Sequence, residues 1–206
     1  MSLPLELWLV HPERAAIEAF RERFANLPNV QFFQTKFEEL PPHDCFVTAA
    51  NSYGLMDGGI DAVVVEYFGV ELMKKAQDHI LNEFLGEQPI GTSFLIETNH
   101  PNIPYVAHTP TMRVPHSIEG TDKVYLATWA SLLTIYRHNA QHPGSIKTVA
   151  FPAMGAGYGC VEFPEVARQM AIAYEHYLDP PHRQTWEMAA RRQKSIHYDG
   201  NQQVIR

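Results

Sequence analysis

A chain of 206 residues, 45% hydrophobic and 19% charged, has the size and composition of one globular domain that buries its own core. Its net charge of −7 argues against strong general binding to nucleic acid or anionic membrane, although a local basic groove is compatible with that sum. Two cysteines, Cys45 and Cys160, are too few for a disulfide framework or a zinc site. No run approaches membrane-spanning length and the N-terminus lacks a basic-then-apolar order, so a soluble cytoplasmic protein is expected.

In chain order, Leu5 to Val10 reads as a first strand. His11-Pro12-Glu13 opens a helix whose buried stripe is Ile17, Phe20, Phe24 and Leu27, and Pro28-Asn29 stops it. Val30 to Lys36 is a second strand and Glu38 to His43 a polar connection. The apolar run Phe46 to Ala50 is a buried strand that ends at Asn51. Gly54, Gly58 and Gly59 then punctuate a loop, and Ile60, Val63, Val64, Tyr67 and Phe68 recur at helical spacing. After Gly69 a further helix carries Leu72, Ala76, Ile80 and Phe84 and ends at Gly86. Thr92 to Ile96 and Tyr105 to Ala107 are strands around the turn Asn99-His100-Pro101-Asn102. Thr109 to Gly120, with two prolines and a lone Arg113, is expected to be loop. Thr121-Asp122 caps a helix with core face Tyr125, Trp129, Leu132, Leu133 and Tyr136, and Ile146 to Phe151 is another buried strand. A second glycine loop, Gly155-Ala156-Gly157-Tyr158-Gly159, leads into a helix with the stripe Phe163, Val166, Ala167, Met170, Ala173 and Tyr174. Asp179-Pro180-Pro181 ends the compact domain. Residues 1–181 thus form an α/β domain, and 182–206 a polar tail with one short helix around Trp186 to Arg192.

Alternation of strands with helices predicts a three-layer α/β/α sandwich around a mixed, largely parallel sheet. Ligands of such sheets bind at the carboxyl ends of the strands, where both glycine loops lie, because each follows a strand and precedes a helix. Two loops at one edge suggest a cleft for an extended, phosphate-bearing ligand. Bare N–H groups at a helix N-terminus form an anion site. Asp61, in the first turn after the first loop, is either a helix-dipole partner or a carboxylate facing what the loop holds. Asn51 either caps the strand-end turn or touches the ligand. Tyr158 is either an ordinary exposed tyrosine or a platform for a ribose. Neither loop is a nucleoside-triphosphate P-loop or a full G-x-G-x-x-G. Cys45 reads as core, His108 as a satisfied strand histidine, and Arg113 and the cluster Arg191, Arg192 and Lys194 as solvated.

The two loops together resemble the macro domain, an ADP-ribose-binding module. TAAN followed by LMDGGIDAVV is similar to its N-A-A-N and L-x-G-G-G-V-D-G-A-I, and FPAMGAGYG to its F-P-A-I-S-T-G-x-x-G. Between them, GTSFLIETNHPNIPYVAHTP resembles the family's strand pair that ends in a His-Thr, here His108-Thr109, so the likeness runs from about residue 30 to 178. The resemblance implies that Asp57, Gly58, Gly59 and Ile60 wrap the diphosphate and distal ribose, and that Gly155, Ala156, Gly157 and Tyr158 close over the other side. It implies that Asn51 bonds the distal ribose and that Asp61 promotes attack of water at C1″. The implied partner is ADP-ribose or a related nucleotide sugar, free or on an ADP-ribosylated macromolecule, with no metal and no cofactor. Hydrolysis of an ADP-ribosyl linkage is the leading expectation. A non-catalytic ADP-ribose reader and a phosphatase on ADP-ribose 1″-phosphate are the alternatives.

Three departures bear on that transfer. The family's Gly-Asp-Ile, whose Asp recognises the adenine amino group, is replaced by Gln34-Thr35-Lys36-Phe37-Glu38, where a basic residue would favour a different end group. Gly155-Ala156 stands for Ser-Thr, which removes two hydroxyls and keeps the backbone donors. Asp57 stands for a glycine and brings negative charge toward a diphosphate.

Overall fold

Runs such as Leu7-Trp8-Leu9-Val10, Cys45-Phe46-Val47 and Val149-Ala150-Phe151 are apolar on both faces, which suits strands covered above and below. In the computed structural model, which describes residues 5–196, they form the middle of a six-stranded sheet. The elements are β1 (Glu6–Val10), α1 (Arg14–Arg23), β2 (Val30–Phe33), β3 (Cys45–Asn51), α2 (Gly59–Phe68) and α3 (Val70–Glu83). They continue with β4 (Phe94–His100), β5 (Ile103–Met112), α4 (Lys123–Gln141), β6 (Thr148–Phe151), α5 (Phe163–Leu178) and α6 (Trp186–Ile196). The strand order is β2-β1-β6-β3-β5-β4, parallel throughout except for β4, which runs antiparallel to β5. Successive residues of β3 serve opposite layers. Cys45 and Val47 join the core under α1, α4 and α5, while Phe46 joins the core under α2 and α3. The architecture is a three-layer α/β/α sandwich with a mixed, mostly parallel sheet.

Some expected boundaries shift, each for a local reason. The stretch expected to be loop from Thr109 onward continues β5 to Met112. Pro110 lies beyond Phe94, the first residue of β4, where β5 is bonded on one side only, and a proline is tolerated there. Thr109 is buried there because its hydroxyl meets Ser93 at 2.7 Å and Ser131 at 2.8 Å. The core face of α4 is also rotated from expectation. Tyr136 is 51% exposed, whereas Thr128 and Ser131 are buried. Their hydroxyls donate to Val124 O and Ala127 O one turn back, so the helix itself satisfies them.

At the end of the described chain α6 lies against α5, with Arg168 donating to the carbonyls of Ser195 and Ile196. Arg192, expected to be solvated, sits over the Trp129 ring at 5.7 Å. The last part of the expected tail, 197–206, lies outside the described residues. Among the described residues no helix is long and apolar enough to cross a membrane.

Candidate functional site

Five parallel strands deliver their carboxyl ends to one edge of the sheet, and a cleft of about 910 Å³ runs along it. Its lining passes from His11 and Thr35, just beyond β1 and β2, past Pro152 after β6, to Asn51 on β3 and Met112 on β5. From β2 to β5 is four strand steps, or roughly 19 Å at ~4.8 Å each. That suits an extended ligand rather than a compact one.

The first glycine loop forms one wall. Asn51, at the end of β3, commits most of its amide to this loop. Its Oδ1 accepts from the N–H of Tyr53 at 3.0 Å and of Leu55 at 3.2 Å, and its Nδ2 donates to Leu55 O at 2.7 Å. One Nδ2 proton is left for a ligand, so Asn51 is both the turn cap and a candidate contact. The N–H of Ala62, bonded to Gly58 O at 3.3 Å, is the first in α2 with a helical acceptor. The N–H groups of Gly59, Ile60 and Asp61 therefore have none, and they make the N-terminus an anion site beside the cleft.

Asp61 lines the cleft but turns beneath α2, leaving the residue 3% exposed. The fully buried Thr48, on β3, donates its hydroxyl to Asp61 Oδ1. Burial pushes the Asp61 carboxyl up to about 7, against the pull of the Thr48 hydroxyl and with the charge of Asp57 adding to the rise. A carboxyl that loses its proton near neutrality can take one from water at physiological pH, which an ordinary surface aspartate does poorly. Asp57 itself is exposed at the rim.

The second glycine loop forms the opposite wall. A Cβ on Gly159 would lie 2.3 Å from Gly155 O, and Gly155 itself has φ +80° with Ile118 and Val124 packed behind it. Around Gly157, by contrast, a Cβ would meet nothing within 4 Å. Tyr158, 59% exposed, reaches across to the first loop. A Cβ on Gly58 would lie 3.0 Å from its Oη, so the phenol rests where any larger residue at 58 would stand. Cys160 follows with φ +55°, the left-handed region that favours glycine. Cys160→Gly is expected to stabilise the fold by about 0.5–1 kcal/mol, read as a higher thermal midpoint. An unchanged or lower midpoint would show that its Sγ contact with Tyr158 O at 3.6 Å outweighs the strain.

All ten residues singled out in the sequence line this one cleft: Asn51, Asp57 to Asp61, and Gly155 to Tyr158. Other lining residues were not singled out as site residues in the sequence, among them His11 at the β1–β2 end and Pro115 at the other, while Thr35 and Phe37 come from the stretch that stands for the family's Gly-Asp-Ile. Lys36, the basic residue expected to favour a different end group, is exposed and outside the lining; its neighbour Thr35 faces the cleft instead. Arg113 is not simply solvated. It grips Glu87 with two bonds, at 2.7 and 3.0 Å, and Tyr53 donates to the same carboxylate at 3.2 Å, which ties the first loop to the rest of the rim. His108 is buried with Nδ1 against Gln88 Oε1 at 2.7 Å, while its Nε2 has no partner among the described residues. Burial pushes it down to about 3, with His79 adding to the fall. It is therefore neutral, and only half satisfied.

The family model described as Macro domain matches residues 47–170, a span that includes both glycine loops. An uncharacterised protein of Aquifex aeolicus is 32% identical over 127 residues, covering 62% of this chain and 70% of its own length. Another, from Saccharolobus solfataricus, is 29% identical over 134 residues, covering 65% of this chain and 70% of its own. Among solved structures, the macrodomain of Mycobacterium tuberculosis DarG aligns with a TM-score of 0.56 at 18% identity, over 69% of this chain and 87% of that one. A mutant macrodomain of Oceanobacillus iheyensis with ADPR aligns with a TM-score of 0.56 at 20% identity, over 67% and 72%. At these identities the structural likeness speaks for the fold.

Proposed function

This chain belongs to the macro domain family, and from that premise we propose that its cleft binds ADP-ribose or a close derivative and hydrolyses an ADP-ribosyl linkage. The observation that carries the hydrolytic part is Asp61. It is a buried carboxyl raised to about 7 at the foot of an anion-binding helix N-terminus, in a cleft walled by two glycine loops. In this reading the bare N–H groups of α2 and the backbone of Gly155 to Tyr158 hold the diphosphate. The free Nδ2 proton of Asn51 bonds the distal ribose, over β3 and β5. Asp61 faces the C1″ carbon. Water attacks C1″, its oxygen forms the new C–O bond, and the bond to the leaving group breaks. One water proton passes to Asp61, and the leaving group takes a proton from solvent. The growing positive charge at C1″ lies near the Asp61 carboxylate, which stabilises it. Two free cysteines, one buried and one exposed, accord with a reducing cytoplasmic setting.

The deep burial of Asp61 favours one second reading, a module that holds ADP-ribose without turning it over, because a carboxyl with so little exposure has little room for water. Calorimetric titration with ADP-ribose, AMP and ADP, alongside release of ADP-ribose from an ADP-ribosylated protein, tests both. Saturable binding of ADP-ribose with release supports the hydrolase. Binding without release leaves the reader, and no binding removes both.

A further inference from the structure

The charges of the cleft bear on what it releases, given the reading of it as a site that hydrolyses an ADP-ribosyl linkage. Among the described residues no lysine or arginine lines it, and its two carboxyl groups, Asp57 and Asp61, come from the first loop and the start of α2. Asp57 stands exposed at the rim, and its charge is felt at Asp61. Arg113, one residue past the end of β5, has its charge matched by Glu87 through bonds of 2.7 and 3.0 Å. The diphosphate is therefore left to backbone N–H groups, and the cleft keeps its negative charge for something else.

A second observation concerns Thr111, on β5. It is 1% exposed and lines the cleft, yet its hydroxyl has no partner among the described residues. Ala50 pairs with Pro110 and Asn51 with Met112, so Thr111 is the extra residue of a bulge and stands beside Asn51. A buried hydroxyl without a bond is costly to keep, which marks this one for a ligand. Asn51 also bonds Leu55 from the other side, and Asp57 follows two residues on. With the distal ribose on Asn51, Thr111 and Asp57 flank the group carried by C1″.

That group decides where charge goes when its bond breaks. A carboxylate or phosphate leaves as an anion, and here it would depart between Asp57 and Asp61 with no lining lysine or arginine to receive it. A substituted guanidinium behaves in the opposite way. Water attacks C1″, the C1″–N bond breaks with its electron pair passing to nitrogen, and the cation leaves as a neutral guanidine. One water proton passes to Asp61, and the guanidine, a strong base, takes a proton from solvent. Its N–H groups only donate, which suits the Asp57 carboxylate and the lone pairs of Thr111 Oγ1. We infer that the linkage cut in this cleft joins ADP-ribose to a guanidinium, as on an arginine side chain, and that Asp57 and Thr111 accept from that leaving group.

The test is release of ADP-ribose by the full chain from two peptides, one ADP-ribosylated on arginine and one on glutamate. Each rate is taken relative to that peptide's loss in buffer alone. Wild type is expected to accelerate the arginine peptide at least about tenfold more than the glutamate peptide. Asp57→Asn should lower kcat/KM on the arginine peptide about three- to tenfold, while binding of ADP-ribose, which carries no cation on C1″, holds or tightens. A merely structural loss would lower both. Thr111→Val should slow the arginine peptide by a similar factor yet keep or raise the thermal midpoint, because a methyl replaces a hydroxyl that made no bond; Thr111→Ser should keep turnover. Equal or greater acceleration of the glutamate peptide overturns the inference and leaves the hydrolase reading standing. So does an arginine preference undiminished in both Asp57→Asn and Thr111→Val. ADP-ribose binding with release from neither peptide overturns the hydrolase reading and this inference with it.

Discussion

Asp61→Asn is expected to lower turnover of an ADP-ribosylated substrate by at least about a hundredfold, the contribution of a positioned general base, while ADP-ribose still binds. The same substitution should make the protein more stable above pH 7. Burial sets the Asp61 carboxyl at about 7 in the folded chain, against roughly 3.9 for an aspartate in an unfolded one. Between those values the folded protein holds a proton that the unfolded chain has lost. The stabilisation is therefore complete below about pH 4 and is lost as pH rises through 7. That gap corresponds to on the order of 4 kcal/mol between the two ends of the range. Asparagine has no proton to lose, and its Oδ1 can still accept from Thr48. Denaturant unfolding at intervals from pH 4 to 8 should show wild type losing stability between about pH 4 and 7 and levelling off above, and a flatter curve for Asp61→Asn, the two separating across that window and staying apart at pH 8. The kcat/KM of wild type should rise with pH around a midpoint near 7 as Asp61 gives up its proton. A variant less stable than wild type at pH 8, or one that hydrolyses normally, would sink the assignment. A site that is both costly to fold and necessary for turnover is the usual mark of a carboxyl kept for chemistry rather than for the fold.

What the sequence made legible was whatever the backbone demands of it. Gly58, Gly59, Gly155 and Gly159 appear as glycines because helix starts and close approaches admit little else, and their position after apolar runs puts both loops at one sheet edge. Strand alternation and helical stripes gave the layers for the same reason. Side chains whose role depends on a partner far along the chain were not legible. Thr48 sits in an apolar run and reads as filler until Asp61, thirteen residues on, receives its proton. Arg113 meets Glu87 across twenty-six residues, so an apparently lone loop arginine turns out to brace the rim. At the end of β2 the difficulty is register. A shift of one residue decides whether Lys36 or Thr35 faces the cleft, and a strand that stops at Phe33 rather than Lys36 settles it for Thr35. The face of α4 was misplaced because buried Thr128 and Ser131 look polar in sequence, and only the helix geometry shows their hydroxyls satisfied one turn back.

The second large effect concerns the shape of the second loop. Gly159→Ala is expected to destabilise the protein by about 2–4 kcal/mol and to remove measurable ADP-ribose binding, whereas Gly157→Ala should leave the thermal midpoint nearly unchanged. The two glycines are two residues apart and look equivalent in sequence. A methyl at 159 would stand 2.3 Å from Gly155 O, a backbone atom that cannot swing away, and 2.9 Å from Ile118 Cγ1. The carbonyl of Gly159 also accepts from the Ile118 N–H at 2.8 Å, and the Val161 N–H bonds back to Gly155 O at 3.2 Å. To admit the methyl, the loop must therefore break the contacts that fold it over the cleft. A methyl at 157 meets no atom of the protein within 4 Å. If Gly159→Ala binds ADP-ribose like wild type, the loop reshapes freely and its observed form is not what holds the ligand. If only Gly157→Ala loses affinity while keeping its midpoint, the bound ligand occupies the open space beside residue 157. In that case the diphosphate lies closer to this loop than to the N-terminus of α2.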